Sequence, residues 1–359
     1  MNGRHPGPPT PQVGSDPGYN SLFDSAAAGA PVVDAQPREE SAPDPPARRG
    51  RTRRLIAILA LALILLVGLL GSALYISVQN LSSNITRVPD VFSALDGAER
   101  PAPVDNRVSF LVMGTDSRHA TGRRGDEVLM LARVDVDLDP TTTGASVVSI
   151  PRDSWVDVPE HGRDKISAAY GYGGPTLLVR TVEKLTDVRI DHFAIIDFAG
   201  FQEMVNAVGG IDVGNSHLDG RGALDYVGGG SWAPAGYADR LRRQQTALRA
   251  LLDKAASSGL LADPIQLLRL LDALSRAVSV DETLSNGSLQ ELGLQMHGLR
   301  TSAVQFLGCP TAGLGQEGGQ SVVYLDDSRS AELWEALRSD TVQEYARRYP
   351  GDVLVAPPR

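Results

Sequence analysis

Charged side chains gather at three turn-like segments, each directly before or after a predicted strand. MGTDSR contributes Asp116 and Arg118 after a run rich in Val and Phe, and RRGDEV places Asp126 just before the next apolar run. SIPRDSW places Arg152 and Asp153 directly after a third run. Because loops beyond strand ends build the ligand crevice of α/β sheets, these residues are candidates for one shared site.

These residue types suit a diphosphate held together with a divalent cation. One or two carboxylates commonly bind Mg²⁺ while phosphate oxygens complete its octahedron, and arginine binds phosphate oxygens in a bidentate way. Asp116 and Asp126 could therefore bind the metal, and Arg152, Arg240 and Arg243 could clamp the phosphates. Each loop taken alone is also typical of an ordinary turn, and an adjacent Arg–Asp pair is often a surface ion pair of little consequence.

A glycine-rich segment precedes the second group of arginines. In ALDYVGGGSWAPAGYADRLRRQQ, residues 223–245, the glycines at 228–230 lead towards a predicted helix with Arg240, Arg242 and Arg243. Glycine-rich backbone beside arginines is typical of a phosphate site. It is equally typical of a flexible loop before a solvated helix, so the residues alone leave both interpretations open.

Composition excludes several classes of protein. The chain has 359 residues and a formal net charge of −9, whereas non-specific nucleic-acid binding needs a broadly basic face. Its single cysteine, Cys309, excludes an internal disulfide framework and a cysteine metal cage, and we expect a buried, inert thiol. No GxSxG nucleophile motif is present, so serine-hydrolase chemistry has no support.

The amino-terminal part predicts a membrane anchor. Residues 1–54 are rich in Pro, Gly, Ala and Ser and end in RRGRTRR, which predicts a disordered tail with a basic flank. Residues 55–78 contain no charged side chain and are long enough to span a bilayer. The arginines before this run place the tail in the cytoplasm, and the domain beyond the linker at 79–100 outside the plasma membrane. The run is too long and too internal for a signal peptide.

Residues 101–359 predict one extracytoplasmic α/β domain, with a mixed sheet covered by helices on both faces. Strands are predicted at 108–114, 127–137, 145–150 and 193–198, at VQFLGCP and at SVVYLDD. Helices are predicted at 175–185, at 200–210, from 239 to about 298 with Pro264 opening one of them, and at SAELWEALRSD.

Several segments together resemble the LytR–CpsA–Psr family. They are MGTDSR, GDEVLML, VVSIPRDSWVDVP, KISAAYGYGGP, TVEKLTDVRIDHF, IDFAGFQEMVNAVGGIDV and DRLRRQQ, in this order, over about residues 105–250. SIPRD combined with AVGGIDV is the specific part of the match. The predicted topology, one amino-terminal span followed by an exported domain, is also that of the family.

The resemblance implies transfer of a glycopolymer from a polyprenyl-pyrophosphate carrier to peptidoglycan during cell wall assembly, with a pyrophosphatase side activity. It implies Mg²⁺ beside the pyrophosphate, with Asp116 and Asp126 on the metal-associated aspartates of the family. Arg152 and Asp153 fall on the Arg–Asp pair near the pyrophosphate and are the implied catalytic residues. Arg240 and Gln244 fall on the Arg and Gln of the family's arginine helix, and Arg118 and Arg243 complete the set of candidate pyrophosphate-binding residues.

One segment departs from the family pattern. Family members usually carry YVRxR, with two pyrophosphate-binding arginines, where this chain has YVGGG with Gly228 and Gly230. Three explanations stay open. Arg118, Arg123 or Arg124 could replace the lost side chains, or the glycine amides could form an anion nest. Alternatively, the chain is a weak or inactive paralogue that binds prenyl-pyrophosphate lipid or cell-wall glycan. A purely structural protein would not need this set of polar residues.

A lipid carrier also requires an apolar groove for its prenyl chain. The helices around 175–185, 200–208 and 246–275 could line such a groove together. The same Leu and Val residues are equally what the core of an α/β domain requires. The sequence therefore leaves groove and filled core as alternatives.

Overall fold

The computed structural model describes residues 84–95, 100–115, 128–135, 144–228, 237–256, 264–295 and 301–354. These described residues all belong to one compact unit. The predicted tail and membrane span, residues 1–78, lie outside the described residues. Within the described ranges, no helix combines the length and the apolar character needed to cross a membrane.

The described strands fall into one large sheet and three two-stranded hairpins. In chain order the strands are β1 (Thr86–Val88), β2 (Arg107–Thr115), β3 (Val128–Asp135), β4 (Ala145–Ile150), β5 (Trp155–Val158), β6 (Gly162–Lys165), β7 (His192–Asp197), β8 (Ile211–Val213), β9 (Ser216–Leu218), β10 (Val278–Asp281), β11 (Val304–Gly308), β12 (Thr311–Glu317) and β13 (Gln320–Leu325). The α-helices are α1 (Ala168–Thr186), α2 (Phe198–Ala207), α3 (Gly220–Gly228), α4 (Tyr237–Ala255), α5 (Pro264–Ala277), α6 (Asn286–Gln295), α7 (Asp327–Ser339) and α8 (Val342–Arg348).

The large sheet is mixed, with the strand order β1-β10-β7-β2-β3-β4-β11. Strands β2, β4, β7 and β11 run in one direction, and β1, β3 and β10 run in the other. The carboxyl ends of the first four strands therefore share one edge with the amino ends of the other three. We call this edge the carboxyl edge and the opposite one the amino edge.

Helices cover both faces of this sheet, because alternate side chains of a strand point to opposite faces. On β3, Leu129 and Leu131 join an apolar cluster with α1, α7 and α8. Met130 and Val134 join a cluster on the other face, against which Leu248 of α4 packs. Helices α2, α3, α4 and α5 share a further cluster. The predicted mixed-sheet α/β domain is confirmed.

Of the two alternatives for the three helical segments, a shared groove or a filled core, the separate apolar clusters of the described residues favour the core. Leu178 and Val182 of α1 lie in the cluster with α7 and α8, whereas Val205 of α2 and Leu251 of α4 lie in the cluster with α3 and α5. Helix α1 therefore covers a different face from α2 and α4. Periodicity identifies the apolar side of a helix, but it does not identify the sheet face that this side covers.

Helix α1 contains a break where the sequence predicts a helix to start. It begins at Ala168, but Gly173 (φ −139°) and Gly174 (φ 63°) have non-helical backbone just before Pro175. The positive φ at Gly174 favours glycine because a Cβ is disfavoured there. The predicted start at Pro175 therefore marks the straight part of a longer, kinked helix.

Strand β10 lies within residues 239–298, where the sequence predicts helices, and it depends on a buried carboxylate. Asp281 is fully buried and accepts hydrogen bonds from the backbone amide of Phe193 and the hydroxyl of Thr283, and it contacts His192 Nδ1 at 3.1 Å. Burial by itself would raise the pKa of Asp281, but these hydrogen bonds outweigh it and leave the pKa lowered. The carboxylate thus ties β10 to β7.

Cys309 follows β11 and is 4 % exposed, as the sequence predicts. Burial raises the pKa of the Cys309 thiol to about 12. Because the thiolate is the reactive form, the expectation of an inert buried thiol is confirmed by its position and its pKa.

Candidate functional site

The strand register brings the predicted polar loops to the carboxyl edge. Gly114 near the end of β2 pairs with Val128 at the start of β3, and Leu129 of β3 pairs with Ile150 at the end of β4. Both ends of the β2–β3 loop and the start of the loop after β4 therefore lie next to one another at the carboxyl edge. Three predicted site residues in these loops, Asp116, Arg118 and Asp126, lie outside the described residues.

Arg152 and Asp153 stand at this edge together with a cation that sequence reasoning missed. One carboxylate oxygen of Asp153 lies 2.9 Å from Lys165 Nζ, and the other lies 3.5 Å from Arg152 Nε. The side chains of Arg152, Asp153 and Lys165 are 19 %, 23 % and 20 % exposed, respectively, so solvent still reaches them. The cluster carries one net positive charge, which suits an anionic ligand.

The backbone of this turn is fixed from two sides. The amide of Ser167 donates to the carbonyl of Arg152 at 3.1 Å, and the amide of Val323 donates to the carbonyl of Asp153 at 2.8 Å. Hairpin β5–β6 pairs Trp155 with Lys165, which returns the lysine to the turn. A site held in this way is organised before a ligand binds.

Helix α4 crosses the sheet above β4 and β11 and reaches the carboxyl edge with its amino-terminal turns. Gln245 Nε2 donates to Ser149 Oγ and to the carbonyl of Leu307, each at 2.8 Å, near the ends of these two strands. Arg249, one turn later, stacks on the ring of Phe306, which lies one residue earlier on β11. The helix therefore runs towards the amino edge, and its first turns extend past the carboxyl edge.

The three predicted ligands on α4 occupy different environments. Arg240 precedes Gln245 by five residues, about 7.5 Å along the axis, on the turns that extend past the edge. Arg243 Nε donates to the carbonyl of Tyr226 at 3.1 Å, so it fastens α4 to the end of α3. Gln244 is buried, at 7 % exposure. Arg240 is the one of these three whose position in the fold best suits a ligand beyond the edge.

Gly228, which stands where the family usually has an arginine, is the exposed last residue of α3. A Cβ built there would meet no atom within 4 Å, and its φ lies outside the left-handed region. Neither space nor backbone conformation therefore requires glycine. Gly230 lies outside the described residues, so the anion-nest hypothesis stays a prediction.

Two cavities lie beside the Arg152–Asp153 turn. One of about 450 Å³ is bounded by Asp153 and hairpin β12–β13, including Leu314 and Val323. The other, of about 670 Å³, is lined by Trp155 and Tyr324 together with charged side chains. A polar acceptor could reach Asp153 through the first of these cavities, because Asp153 is part of its lining.

Asp197 is a second residue that sequence reasoning missed. It ends β7, where it pairs with Thr115 at the end of β2, so it lies beside the loop that begins with Asp116. Both missed residues lie in segments that carry the family resemblance, Lys165 in KISAAYGYGGP and Asp197 in IDFAGFQEM. In the described part of the chain, no group of three or more His, Cys, Asp or Glu side chains is placed to hold a metal ion.

Comparison with known proteins identifies the family of this chain. The model of the LytR_cpsA_psr family matches residues 81–339. The chain belongs to this family. The match includes β2, β4, β7 and α4, which form the candidate site, and extends through α7.

Curated relatives in the LytR_cpsA_psr family are named for cell wall assembly. The chain is 32% identical over 259 residues to a probable cell wall biosynthesis protein, LcpB of Corynebacterium glutamicum, covering 64% of this chain and 61% of the relative. It is 34% identical over 166 residues to a polyisoprenyl-teichoic acid–peptidoglycan teichoic acid transferase, TagU of Bacillus cereus, covering 42% and 53%. The chain thus spans about half to three fifths of these relatives.

Solved structures share the LytR_cpsA_psr fold. TagV of B. subtilis superposes with a TM-score of 0.53 at 25% identity, covering 68% of this chain and 99% of TagV. TagT bound to LIIa-WTA superposes with a TM-score of 0.52 at 22% identity, covering 71% and 98%. These likenesses establish the mixed α/β sheet domain.

Proposed function

We propose that this chain transfers a glycopolymer from a polyprenyl-pyrophosphate carrier to peptidoglycan, as a membrane-anchored enzyme outside the plasma membrane. The observation that carries the proposal is the Arg152–Asp153–Lys165 cluster at the carboxyl edge, where Gln245 of α4 contacts the end of β4. The names of the relatives, a cell wall biosynthesis protein and a teichoic acid transferase, support the same class of reaction.

The reaction requires charge stabilisation at the diphosphate. A hydroxyl of the acceptor sugar attacks the phosphorus on the polymer side, a new P–O bond forms and the anhydride bond breaks. The hydroxyl proton passes to the departing phosphate, and the carrier leaves as prenyl monophosphate. Arg152 and Arg240 stabilise the charge on the phosphate oxygens through planar, bidentate donors. Both carboxylate oxygens of Asp153 face cations. This favours a role for Asp153 in orienting Arg152 over one in accepting the proton of the acceptor hydroxyl.

Mg²⁺ is part of this proposal, and Asp116 and Asp126 would hold it. Asp116 lies two residues beyond Gly114, and Asp126 two residues before Val128, the residue that pairs with Gly114. Carboxylates are ligands that Mg²⁺ takes beside phosphate oxygens, and the pairing of Gly114 with Val128 supports the assignment of both aspartates to one site. When bound, the ion would neutralise part of the negative charge of the diphosphate.

The direction of β1 supports a site that faces the membrane. Because β1 is parallel to β10 and β10 is antiparallel to β7, Thr86 enters the sheet at the carboxyl edge. The predicted span ends at Val78, eight residues earlier, so the connecting chain reaches at most about 28 Å. A lipid-linked diphosphate at the membrane surface would lie on the same side as Arg152 and Asp153.

Gly228 and Gly230 favour a second candidate, a paralogue that binds the lipid carrier without turnover. The test uses the full chain in lipid nanodiscs with a prenyl-pyrophosphate-linked glycopolymer and peptidoglycan. Mg²⁺-dependent release of prenyl monophosphate, with polymer attached to peptidoglycan, is the expected result. Saturable lipid binding without release would support the binding paralogue, and absence of both would contradict both candidates.

A further inference from the structure

A second charged cavity opens at the amino edge of the sheet, opposite the proposed active site. Its volume is about 230 Å³, roughly the share of eight water molecules in the liquid. The charged residues of its lining are four arginines and two aspartates, namely Arg107, Arg133, Arg189, Arg338, Asp187 and Asp191. The lining therefore has an excess of positive charge.

Three of these arginines are engaged by neighbouring groups. Arg107 binds Asp135 through Nε at 3.0 Å and Asp340 through Nη2 at 2.6 Å. Arg189 donates to a backbone carbonyl at 3.1 Å. Arg338 donates to a carbonyl of α1 at 2.6 Å and to a carboxylate of its own helix at 2.7 Å.

Arg133 is the exception in this lining. It follows Leu129 and Leu131 on the same face of β3, which places it at the covered amino edge with only 6 % exposure. Its Nε is buried without a hydrogen-bond partner in the part of the chain that the structure describes. Arginine is almost never buried to this degree unless it is paired.

The surroundings of Arg133 do not compensate its charge. Burial lowers its pKa, and the neighbouring Arg107 lowers it further. The opposing effects of Asp135, Asp340 and Asp191 do not cancel this shift. An anion in the cavity would supply the missing negative charge and the missing hydrogen-bond acceptors.

We propose that this cavity binds a phosphate-type oxyanion through Arg133, either as the free ion or as a phosphate monoester at the end of a larger molecule. The planar guanidinium group matches two phosphate oxygens at once. The site does not depend on the proposed transfer reaction, because it lies at the amino edge whereas Arg152 and Asp153 lie at the carboxyl edge.

The test is calorimetric titration of the full chain carrying Arg152→Ala, so that the proposed active site takes up less phosphate. Inorganic phosphate forms one arm and glycerol 3-phosphate the other, both at constant ionic strength, with sodium chloride as the blank. We expect saturable one-site binding of at least one of the two ligands. The ligand with the higher affinity shows whether the site prefers the free ion or the monoester. Absence of saturable binding in both arms overturns the proposal.

Two further variants assign the binding to this cavity. Arg133→Met should weaken the affinity about tenfold or more, since a hydrogen bond to a charged group is lost. Val104 is 42 % exposed and lines the cavity, so Val104→Glu should place a competing carboxylate there without disturbing the core. The matched control is Arg347→Met on the exposed side of α8, with unchanged affinity.

Unchanged affinity in a folded Arg133→Met protein overturns the proposal. If Arg133→Met does not fold, the phosphate affinity of Val104→Glu tests the proposal instead. Weaker phosphate binding in Val104→Glu supports the site, and affinity equal to that of the Arg347→Met control contradicts it.

Discussion

Asp153 lies between Arg152 and Lys165, and this arrangement of single side chains distinguishes the site from an ordinary surface ion pair. Arg152 and Asp153 could be predicted from the sequence because they directly follow a strongly apolar strand. Lys165 could not, because hairpin β5–β6 brings it to the site by pairing it with Trp155. Short hairpins of this kind have too few residues for a periodic pattern to predict them.

Removal of the lysine should impair the site without unfolding the protein. In Lys165→Met, Asp153 loses its partner at 2.9 Å and would bind Arg152 more tightly, leaving fewer donors for phosphate. We expect kcat/KM for the lipid-linked polymer to fall about 10- to 100-fold, the equivalent of one charge-assisted hydrogen bond. Lys254→Met, near the far end of α4, is the matched control. Equal activity of the two variants would contradict a role for Lys165.

Restoring the arginine at position 228 should strengthen carrier binding. Gly228 is exposed, has open space around its Cα, and follows Tyr226, whose carbonyl binds Arg243. We expect Gly228→Arg to lower the Kd for a prenyl-pyrophosphate lipid about tenfold, measured by titration into nanodiscs, since one charged contact is gained. Gly228→Ala controls for helix propensity. An unchanged Kd would show that position 228 does not reach the diphosphate.

At the scale of elements, the placement of α4 decides where its arginines lie. Its periodic pattern predicts the helix, and the strongly apolar strands β2, β3, β4 and β7 are predicted for the same reason. Strand β10 was missed because VSVD is short and its stability depends on the distant contacts of Asp281. The side of the sheet that α1 covers was also not predictable, because it depends on the route of the chain.

Gln245 should make the main hydrogen-bonded contact between α4 and the sheet. In Gln245→Leu, Ser149 Oγ and the Leu307 carbonyl lose their donor inside the core. We expect the free energy of unfolding to fall by about 1–3 kcal/mol, and KM for the lipid to rise as α4 loses its position. Denaturant unfolding and steady-state kinetics measure these effects. Gln343→Leu, at an exposed position of α8, is the control. An equal free energy of unfolding and an equal KM in the two variants would show that Gln245 does not hold α4 in place.

At the scale of the whole molecule, the described chain is a mixed sheet with a positively charged cluster at each of its two edges. The carboxyl edge carries the proposed active site and receives β1 from the predicted anchor, whereas the amino edge carries the Arg133 cavity. One fully buried carboxylate, Asp281, joins β10 to β7 and to the turn before α6. Stability of the whole domain should therefore depend on the ionisation of this group.

The pH dependence follows from the lowered pKa of Asp281. A carboxylate with a lower pKa in the folded state contributes stability that is complete above its unfolded pKa, 3.8, and that is lost as the pH falls below it. We expect the free energy of unfolding to decrease on acidification below about pH 4. Asp281→Asn should be less stable at neutral pH and should show a shallower decrease, whereas exposed Asp105→Asn should match the wild type. If the free energy of unfolding fell with pH equally steeply in Asp281→Asn and in the wild type, the stabilising role of the Asp281 carboxylate would be contradicted.

The most direct measurement is Mg²⁺-dependent release of prenyl monophosphate by the full chain, compared between wild type, Arg152→Ala and the surface control Arg347→Ala. If Arg152 stabilises charge on the diphosphate, its removal should lower kcat about 10²-fold or more while the control keeps its activity. The folded state of each variant is checked by thermal unfolding. Turnover in Arg152→Ala equal to that of the control would contradict an active site at the carboxyl edge.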